Sequence, residues 1–238
     1  IKPNYADAHN NLGAVFKLKG QLDAAVGSYE MAISIAPQFT EAYINLGLCL
    51  YEQGDLDGAL DYYDKGIKIN PYYRDAFNSR GMALMQKGDF EAAIGSYRKA
   101  IEIDGNYGAA YNNLAVVLQQ QSDFDAALEN CKKAIKIDPE YADAYVNMGA
   151  TLQSQGDFEA AIDSYRKAIE INSNHTEAHY NMGNVQTEIG DLDAAIDSYE
   201  KALKVKPDHS DAMFNKSLVR LHQNNFVEGW DLYEQRWA

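Results

Sequence analysis

The chain has 238 residues, of which 46% are hydrophobic and 24% are charged, a composition typical of folded globular proteins. Its 35 acidic residues outnumber its 21 Lys and Arg residues, which leaves a net charge of -14. This charge argues against binding to nucleic-acid phosphates or to anionic membrane surfaces, and no apolar run reaches the roughly 20 residues of a membrane span. The first residue is Ile1 rather than Met, so we expect a processed or excised piece.

The sequence repeats with a period of 34 residues. All five prolines lie at multiples of 34 from one another: Pro3, Pro37, Pro71, Pro139 and Pro207. We therefore predict residues 1–5 as the tail of a preceding repeat, six full repeats, and a seventh, divergent terminal repeat at 210–238. The full repeats are 6–39, 40–73, 74–107, 108–141, 142–175 and 176–209. Positions within each repeat are numbered below as slots 1 to 34.

Each repeat is predicted to be an antiparallel pair of helices. Apolar residues recur three and four positions apart in two runs, which is helical spacing. A Gly at slot 15 suits the end of the first helix because Gly tolerates positive φ, and an acid at slot 16 suits the start of the second. Pro at slot 32 ends the second helix. The slot-15 glycines are Gly20, Gly54, Gly88, Gly156 and Gly190.

Small residues recur inside the predicted helices, with Gly or Ala at slot 8 and Ala at slot 20 of every full repeat. A helix-interior Gly costs about 1 kcal/mol relative to Ala, so its recurrence needs a packing reason. We therefore expect the two helices to approach closely at slots 8 and 20.

Together these positions resemble the tetratricopeptide repeat family over nearly the whole chain. The second repeat carries the pattern as Leu46, Gly47, Ala59, Tyr63 and Pro71. The resemblance implies an all-α fold, a right-handed superhelical solenoid of stacked hairpins whose first helices line a concave groove. It also implies a bacterial-type array that binds polypeptides and performs no catalysis itself.

The seventh repeat departs from the pattern, and its departures are Lys216, Ser217, Arg220, Arg236, Trp230 and Trp237. One interpretation is a terminal cap, because charged residues suit a face that meets no further repeat. The alternative is the last repeat of an array that continues beyond Ala238 into a glycosyltransferase-like or sulfotransferase-like domain, since two Trp residues suit a solvent-facing cap poorly.

Apparent catalytic motifs are explained by the repeat. Ser-x-x-Lys begins at Ser96, Ser164 and Ser198, always at slot 23, whereas a nucleophile is needed only once. His175 and His179 are four apart but have no third metal ligand near them in sequence. The two cysteines, Cys49 and Cys131, occupy apolar positions and are predicted to be buried thiols. We predict no catalytic residue, no metal site and no cofactor.

Slot 6 holds Asn in six repeats, although Asn is a mediocre helix former. This asparagine row consists of Asn11, Asn45, Asn113, Asn147, Asn181 and Asn215. An amide side chain matches the donors and acceptors of an extended peptide backbone. The row resembles the asparagine ladder in the repeat arm of O-linked N-acetylglucosamine transferases, and we predict that it binds peptide main chain. The alternative is that these residues only bond a loop or a neighbouring helix.

Two further sets of residues are predicted to face the groove. Acids recur at slot 2 and make one rim negative; those assigned to the site are Asp75, Asp143 and Glu177. An apolar floor is predicted from Ile44, Leu48, Tyr51, Met82 and Met85, although part of this row can instead pack between first helices.

The sequence therefore predicts a protein-interaction scaffold that binds an extended or helical polypeptide, neutral to basic in charge, in its groove. One alternative is the substrate-targeting arm of a larger bacterial transferase. Another is a structural spacer that self-associates end to end, because removing a neighbouring repeat exposes apolar faces.

Overall fold

The computed structural model describes residues 5–235, and within that range it contains fourteen α-helices and no β-strand. First helices begin at slot 1 and second helices at slot 17, so the predicted hairpins are confirmed. The helices are α1 Ala6–Leu18, α2 Leu22–Ile35, α3 Thr40–Glu52, α4 Leu56–Ile69, α5 Arg74–Gln86, α6 Phe90–Ile103, α7 Gly108–Gln120, α8 Phe124–Ile137, α9 Ala142–Ser154, α10 Phe158–Ile171, α11 Thr176–Glu188, α12 Leu192–Val205, α13 Ser210–His222 and α14 Phe226–Gln235.

The chain divides into two compact units, Ile1–Val117 and Leu118–Ala238, with the division inside α7. In the first unit α1 packs on α2, α3 on α4 and α5 on α6. In the second unit the pairs are α9 with α10, α11 with α12, and α13 with α14. Each hairpin also packs on the next hairpin of its unit, which buries the apolar faces that one hairpin alone would leave exposed.

The turn inside each hairpin follows the predicted chemistry. The five slot-15 glycines have φ between 70° and 83°, and Ser122 and Asn224 take the same conformation with φ of 63° and 61°. The slot-16 aspartates then cap the second helices; the carboxylate of Asp55, for example, accepts the backbone N–H of Gly58 at 3.0 Å. Equivalent caps follow at Asp89, Asp123, Asp157 and Asp191.

The small residue at slot 8 leaves space for the aromatic ring at slot 24. A Cβ atom on Gly81 would lie only 2.6 Å from Cε1 of Tyr97, whose ring is fully buried. A Cβ atom on Gly47 would likewise lie 2.6 Å from Cε1 of Tyr63 and 3.2 Å from the carbonyl oxygen of Ala59, so the predicted close approach of slots 8 and 20 is present there, with the slot-24 ring beside it. In the fourth repeat the ring is replaced by Cys131, and slot 8 holds the larger Ala115.

Both cysteines are buried as free thiols, as predicted. Burial raises the pKa of Cys49 to about 11 and the pKa of Cys131 to about 12. Each side chain therefore stays a neutral thiol and acts as a small apolar residue of the core.

Two of the charged residues that depart from the repeat pattern, Lys216 and Arg220, are largely covered rather than facing solvent, and for these two the cap interpretation is wrong. Lys216 is only 8% exposed, and its Nζ lies 2.9 Å from Oε1 of Glu200 and 3.2 Å from Oε1 of Glu228. Arg220 Nε lies 2.9 Å from Oε2 of Glu228. Burial acts to raise the pKa of Glu228, but the two cations outweigh it and lower that pKa. The charges thus link α12, α13 and α14.

Of the two tryptophans of this repeat, Trp230 belongs to the described residues. Trp230 is 54% exposed on α14, and its ring contacts Tyr233 edge to face with 5.6 Å between centroids. Trp237 and Arg236 lie outside the described residues.

Candidate functional site

In the first unit, the asparagine row contacts the preceding first helix. Asn45 on α3 donates from Nδ2 to Oδ1 of Asn10 on α1 at 3.0 Å. Asn113 on α7 donates in the same way to Asn78 on α5, also at 3.0 Å. Each bond uses one amide hydrogen. The Oδ1 atoms of Asn45 and Asn113 accept no hydrogen bond within the described residues, so each amide keeps an acceptor for a ligand.

In the second unit, Asn215 is held more tightly. Its Nδ2 lies 2.9 Å from Oδ1 of Asn184 and 3.3 Å from the hydroxyl oxygen of Tyr180, and it donates to both. Asn184 occupies slot 9, where other repeats carry apolar residues, and it was not among the predicted site residues.

Asn181 is half-buried and makes no side-chain hydrogen bond within the described residues. The reason is the residue opposite it, because slot 5 of the preceding repeat is Val146 rather than Asn. Asn147 is also half-buried and has a partner in the chain, whereas Asn11 is exposed. Asn181 therefore retains its full capacity to bind a peptide amide.

The slot-5 partners of the row were missed by the sequence argument. Their signal was present in the dipeptides Asn10–Asn11 and Asn112–Asn113, where two amides stand side by side. Consecutive residues point in different directions from a helix, so one can bond the next repeat while the other faces the preceding one.

The second unit contains a cleft of about 640 Å³, lined by residues of α9, α11, α12 and α13. Its polar lining consists of Gln153, Asn184, Thr187, Glu188, Tyr199, Asn215 and His222, and its apolar lining of Leu192, Leu218 and Val219. Of the predicted site residues, Asn215 lines this cleft. Amide and hydroxyl groups next to aliphatic side chains can bind the main chain and an apolar side chain of one segment together.

Hydrogen bonds fix the polar groups of this cleft. The Tyr199 hydroxyl donates to Oδ1 of Asn184 at 2.8 Å and lies 3.1 Å from Oγ1 of Thr187. Burial raises the pKa of Tyr199, so the phenol stays protonated and available as a donor. The cleft is therefore organised before any ligand arrives.

The predicted acids at slot 2 remain largely exposed. Asp143 accepts a hydrogen bond from Nε2 of His175 at 2.9 Å, and this bond lowers the pKa of Asp143. Glu177 lies 3.7 Å from Nε2 of His209, and Asp75 lies 3.7 Å from the guanidinium of the residue before it. The three carboxylate side chains are 45% to 64% exposed, so their negative charge faces solvent.

Most of the predicted apolar floor lies at the surface of the first unit. Its half-buried members are Leu48, Tyr51, Met82 and Met85. Leu48 and Tyr51 also pack against the core around Tyr63. Ile44 was expected to line the groove, and this is wrong: it is 3% exposed and packs onto α4 at Gly66.

The remaining motifs have structural partners. Ser96 and Ser164 donate to the carbonyl oxygens of Ala92 and Ala160, four residues earlier in the same helix. His179 makes a 3.0 Å hydrogen bond to the carbonyl of Ser173. Among residues 5–235 there is no cluster of three or more His, Cys, Asp or Glu that could hold a metal ion. Nor does any helix in that range combine the length and apolar character needed to cross a membrane.

Solved structures share this fold. A chain of the Cut9–Hcn1 hetero-tetramer of the APC/C matches 92% of this chain with a TM-score of 0.83 and 19% identity, and the match spans 43% of that chain. PilF of Pseudomonas aeruginosa matches 87% of this chain and 94% of its own, with a TM-score of 0.74 and 18% identity. YrrB matches 83% and 98%, with a TM-score of 0.57 and 23% identity. These likenesses confirm the all-α fold.

No curated protein matches the sequence. A family profile described as "Cilia and flagella-associated protein 70 C-terminal domain" matches residues 4–218. The resemblance of the asparagine row to the transferase arm stays a prediction. The profile covers most of the chain, and the chain therefore belongs to the tetratricopeptide-repeat family of the cilia and flagella-associated protein 70 C-terminal domain.

Proposed function

We propose that the chain is a protein-interaction scaffold that binds an extended polypeptide in the cleft of its second unit. The observation that carries the proposal is the lining of that cleft, in which Asn184 and Asn215 lie beside Leu218 and Val219. A neighbour in fold, YrrB, is described as a tetratricopeptide-repeat protein with an unusual peptide-binding site, which supports a polypeptide ligand.

The charge around the cleft favours a neutral to basic ligand. Glu188 lines the cleft, and the exposed carboxylate of Glu177 lies on the same helix, α11. Among the described residues that line the cleft there is no Lys or Arg, and His222 is the only histidine. Because the whole chain carries a net charge of -14, an acidic segment would also be repelled at long range.

The cleft is tested with two substitutions of exposed aliphatic residues. Twelve-residue peptides are selected from a random displayed library on the immobilised chain, and their Kd values are measured by fluorescence anisotropy. Leu218→Arg places bulk and positive charge in the cleft and should weaken binding at least about tenfold, or about 1.4 kcal/mol. Val227→Arg, at a residue 86% exposed and outside the cleft, should leave Kd unchanged. Full affinity of Leu218→Arg, or an equal loss in both variants, would reject the cleft.

The asparagine row supplies the second part of the proposal, main-chain recognition. Asn181→Ala removes an amide without internal partners, so it should weaken peptide binding several-fold while the melting temperature stays the same. Asn45→Ala is the contrasting variant, because it breaks the bond to Asn10 and should lower stability by about 1 kcal/mol. Unchanged affinity of Asn181→Ala would remove the row from the binding site.

Self-association is a second candidate, and exposed apolar side chains favour it. Leu18 on α1 is 89% exposed, and on α14 Val227 is 86% and Phe226 is 56% exposed. Light scattering across protein concentration should show a growing mass that Leu18→Glu abolishes; a constant monomer mass would reject this function. The interpretation as a transferase-targeting arm stays a prediction, which the parent gene beyond Ala238 would test.

A further inference from the structure

Two tyrosine hydroxyls in the first unit are buried without a partner. Tyr63 and Tyr97 are both 0% exposed, and neither hydroxyl has a hydrogen-bond partner within the described residues. A buried polar group without a partner costs about 1–3 kcal/mol. Such groups are uncommon in folded proteins, and each one therefore needs an explanation.

The same tyrosine is satisfied in the second unit. The Tyr165 hydroxyl donates to Oε1 of Gln153 at slot 12, and the Tyr199 hydroxyl bonds Asn184 at slot 9 and Thr187 at slot 12. Tyr199 and the three partner residues line the cleft described above, whereas Tyr165 does not. The three partners are Gln153, Asn184 and Thr187. The slot-24 hydroxyl therefore lies beneath the side chains of slots 9 and 12.

In the first unit, slots 9 and 12 hold residues that leave the hydroxyl unpaired. They are Leu48 and Tyr51, which pack against the core around Tyr63, and Met82 and Met85 at the equivalent slots of the repeat that contains Tyr97. Burial, and to a lesser degree the neighbouring Tyr51, raises the pKa of both tyrosines. Met82 and Met85 are half-buried, and methionine side chains have three rotatable bonds, so both can repack without moving the backbone.

We propose that the hydroxyls of Tyr63 and Tyr97 form a subsite in which each donates a hydrogen bond to an amide carbonyl of a bound polypeptide. The inference rests on the proposed function, because it assumes that the chain binds polypeptide. The ligand reaches the hydroxyls when the half-buried side chains at slots 9 and 12 change rotamer, and an apolar side chain of the ligand then packs against Met82 and Met85.

The chemistry of the surroundings selects a neutral acceptor. Burial raises the pKa of Tyr63 and of Tyr97, so both phenols stay protonated and act as donors. The carboxylate of Glu52 is close enough to raise the pKa of Tyr63 further, and a ligand carboxylate would be repelled by it. A peptide or side-chain amide carbonyl carries no charge and accepts two hydrogen bonds.

The first measurement uses the protein without ligand. Tyr63→Phe and Tyr97→Phe each delete an unpaired hydroxyl, so the melting temperature should stay the same or rise. Tyr165→Phe is the matched control, because it deletes a bonded hydroxyl and should lower the melting temperature. If Tyr97→Phe lowers the melting temperature as much as Tyr165→Phe does, the hydroxyl has a partner and the proposal is overturned.

The second measurement asks whether a ligand uses the hydroxyls. Twelve-residue peptides are selected on the wild-type chain with counter-selection on Met85→Lys, so that the enriched peptides depend on the floor. The combined Tyr63→Phe and Tyr97→Phe variant should bind them about fivefold to tenfold more weakly or worse. A thioamide scan of one peptide should find a sensitive carbonyl in the wild type that becomes insensitive in the variant.

The outcomes separate this subsite from the proposed function. Equal affinity of wild type and the Phe variant for these peptides overturns the subsite, as does a selection that enriches no floor-dependent peptide. In either case, peptide binding in the cleft of the second unit is tested independently by comparing Leu218→Arg with Val227→Arg.

Discussion

Residues at the same slot have different partners because their neighbours differ. Asn113 meets Asn78 across the repeat boundary and bonds it, whereas Asn181 meets Val146 and keeps its amide free within the described residues. The 34-residue period predicted the asparagine row, but it could not predict these partners. A hydrogen bond between repeats depends on which two side chains lie opposite each other, and that requires the packing of the helices.

Gly81 gives a prediction in which helix propensity and packing have opposite effects. Gly81→Ala should lower the free energy of unfolding by about 1–3 kcal/mol, because the new Cβ would lie 2.6 Å from the ring of Tyr97. Gly95→Ala on α6 is the matched control: its Cβ meets nothing within 4 Å, so it should raise stability by about 0.5–1 kcal/mol. Urea unfolding measures both, and a stabilised Gly81→Ala would contradict the packing argument.

Asp143 gives a pH-dependent prediction. Its hydrogen bond to His175 lowers the pKa of the carboxyl below the ordinary 3.8. The stabilisation is therefore present above that value and disappears as the pH falls through the lowered pKa. Asp143→Ala should be less stable than wild type at pH 7, and the difference should close below about pH 4. Thermal melts from pH 7 to pH 3 measure the gap; a gap that widens in acid would contradict the assignment.

At the scale of helices, neighbouring hairpins are joined by a side-chain hydrogen bond that was not predicted from the sequence. The amide of Gln53, just after α3, donates to Asp23 at the start of α2 at 2.8 Å. Gln223 and Asp193 repeat the arrangement in the second unit, also at 2.8 Å. Slot 14 of one repeat thus bonds slot 18 of the preceding repeat. Acids at slot 18 lie in the first turn of the second helix, where they also favour the helix dipole, but their bond to slot 14 became apparent only in the structure.

Ile189 occupies slot 14 without a polar group, and it is 49% exposed. Ile189→Gln should add the missing bond to Glu159 and raise the free energy of unfolding by about 0.5 kcal/mol. Adding Glu159→Ala to that variant should abolish the gain, and the double-mutant cycle isolates the bond. A gain that survives the loss of Glu159 would come from removing exposed apolar surface instead.

At the scale of the whole chain, composition and period were sufficient to predict the helices and hairpins. Apolar spacing, glycine turns and aspartate caps act locally, so they can be inferred from sequence. The buried positions of Ile44 and Lys216 could not, because they depend on which face meets a neighbouring helix. The asparagine row was predicted on similar local grounds, but the cleft was not, since its lining comes from four helices.

The division into two compact units gives a prediction for hydrogen exchange. In a repeat array each hairpin is stabilised chiefly by its neighbours. Gly81→Ala should therefore speed amide exchange in α3 to α6 and leave exchange in α11 to α14 unchanged. Mass spectrometry of exchanged peptides measures this, and uniform acceleration along the chain would indicate one cooperative unit instead.

The boundary between the fifth and sixth repeats lacks two side-chain hydrogen bonds that occur at other boundaries, the one between slots 5 and 6 and the one between slots 14 and 18. Val146 offers no acceptor to Asn181, and Ile189 offers no donor to Glu159. What remains there is one exposed hydrogen bond between α9 and α11, from Gln153 to Glu188 at 2.6 Å, and the aliphatic contact of Val146, Met182 and Val185 around Tyr165. Aliphatic contacts are non-directional, so small rotations at this joint change their energy little. We therefore expect the spacing of α9 and α11 to adjust most easily, letting one scaffold accommodate segments of different thickness.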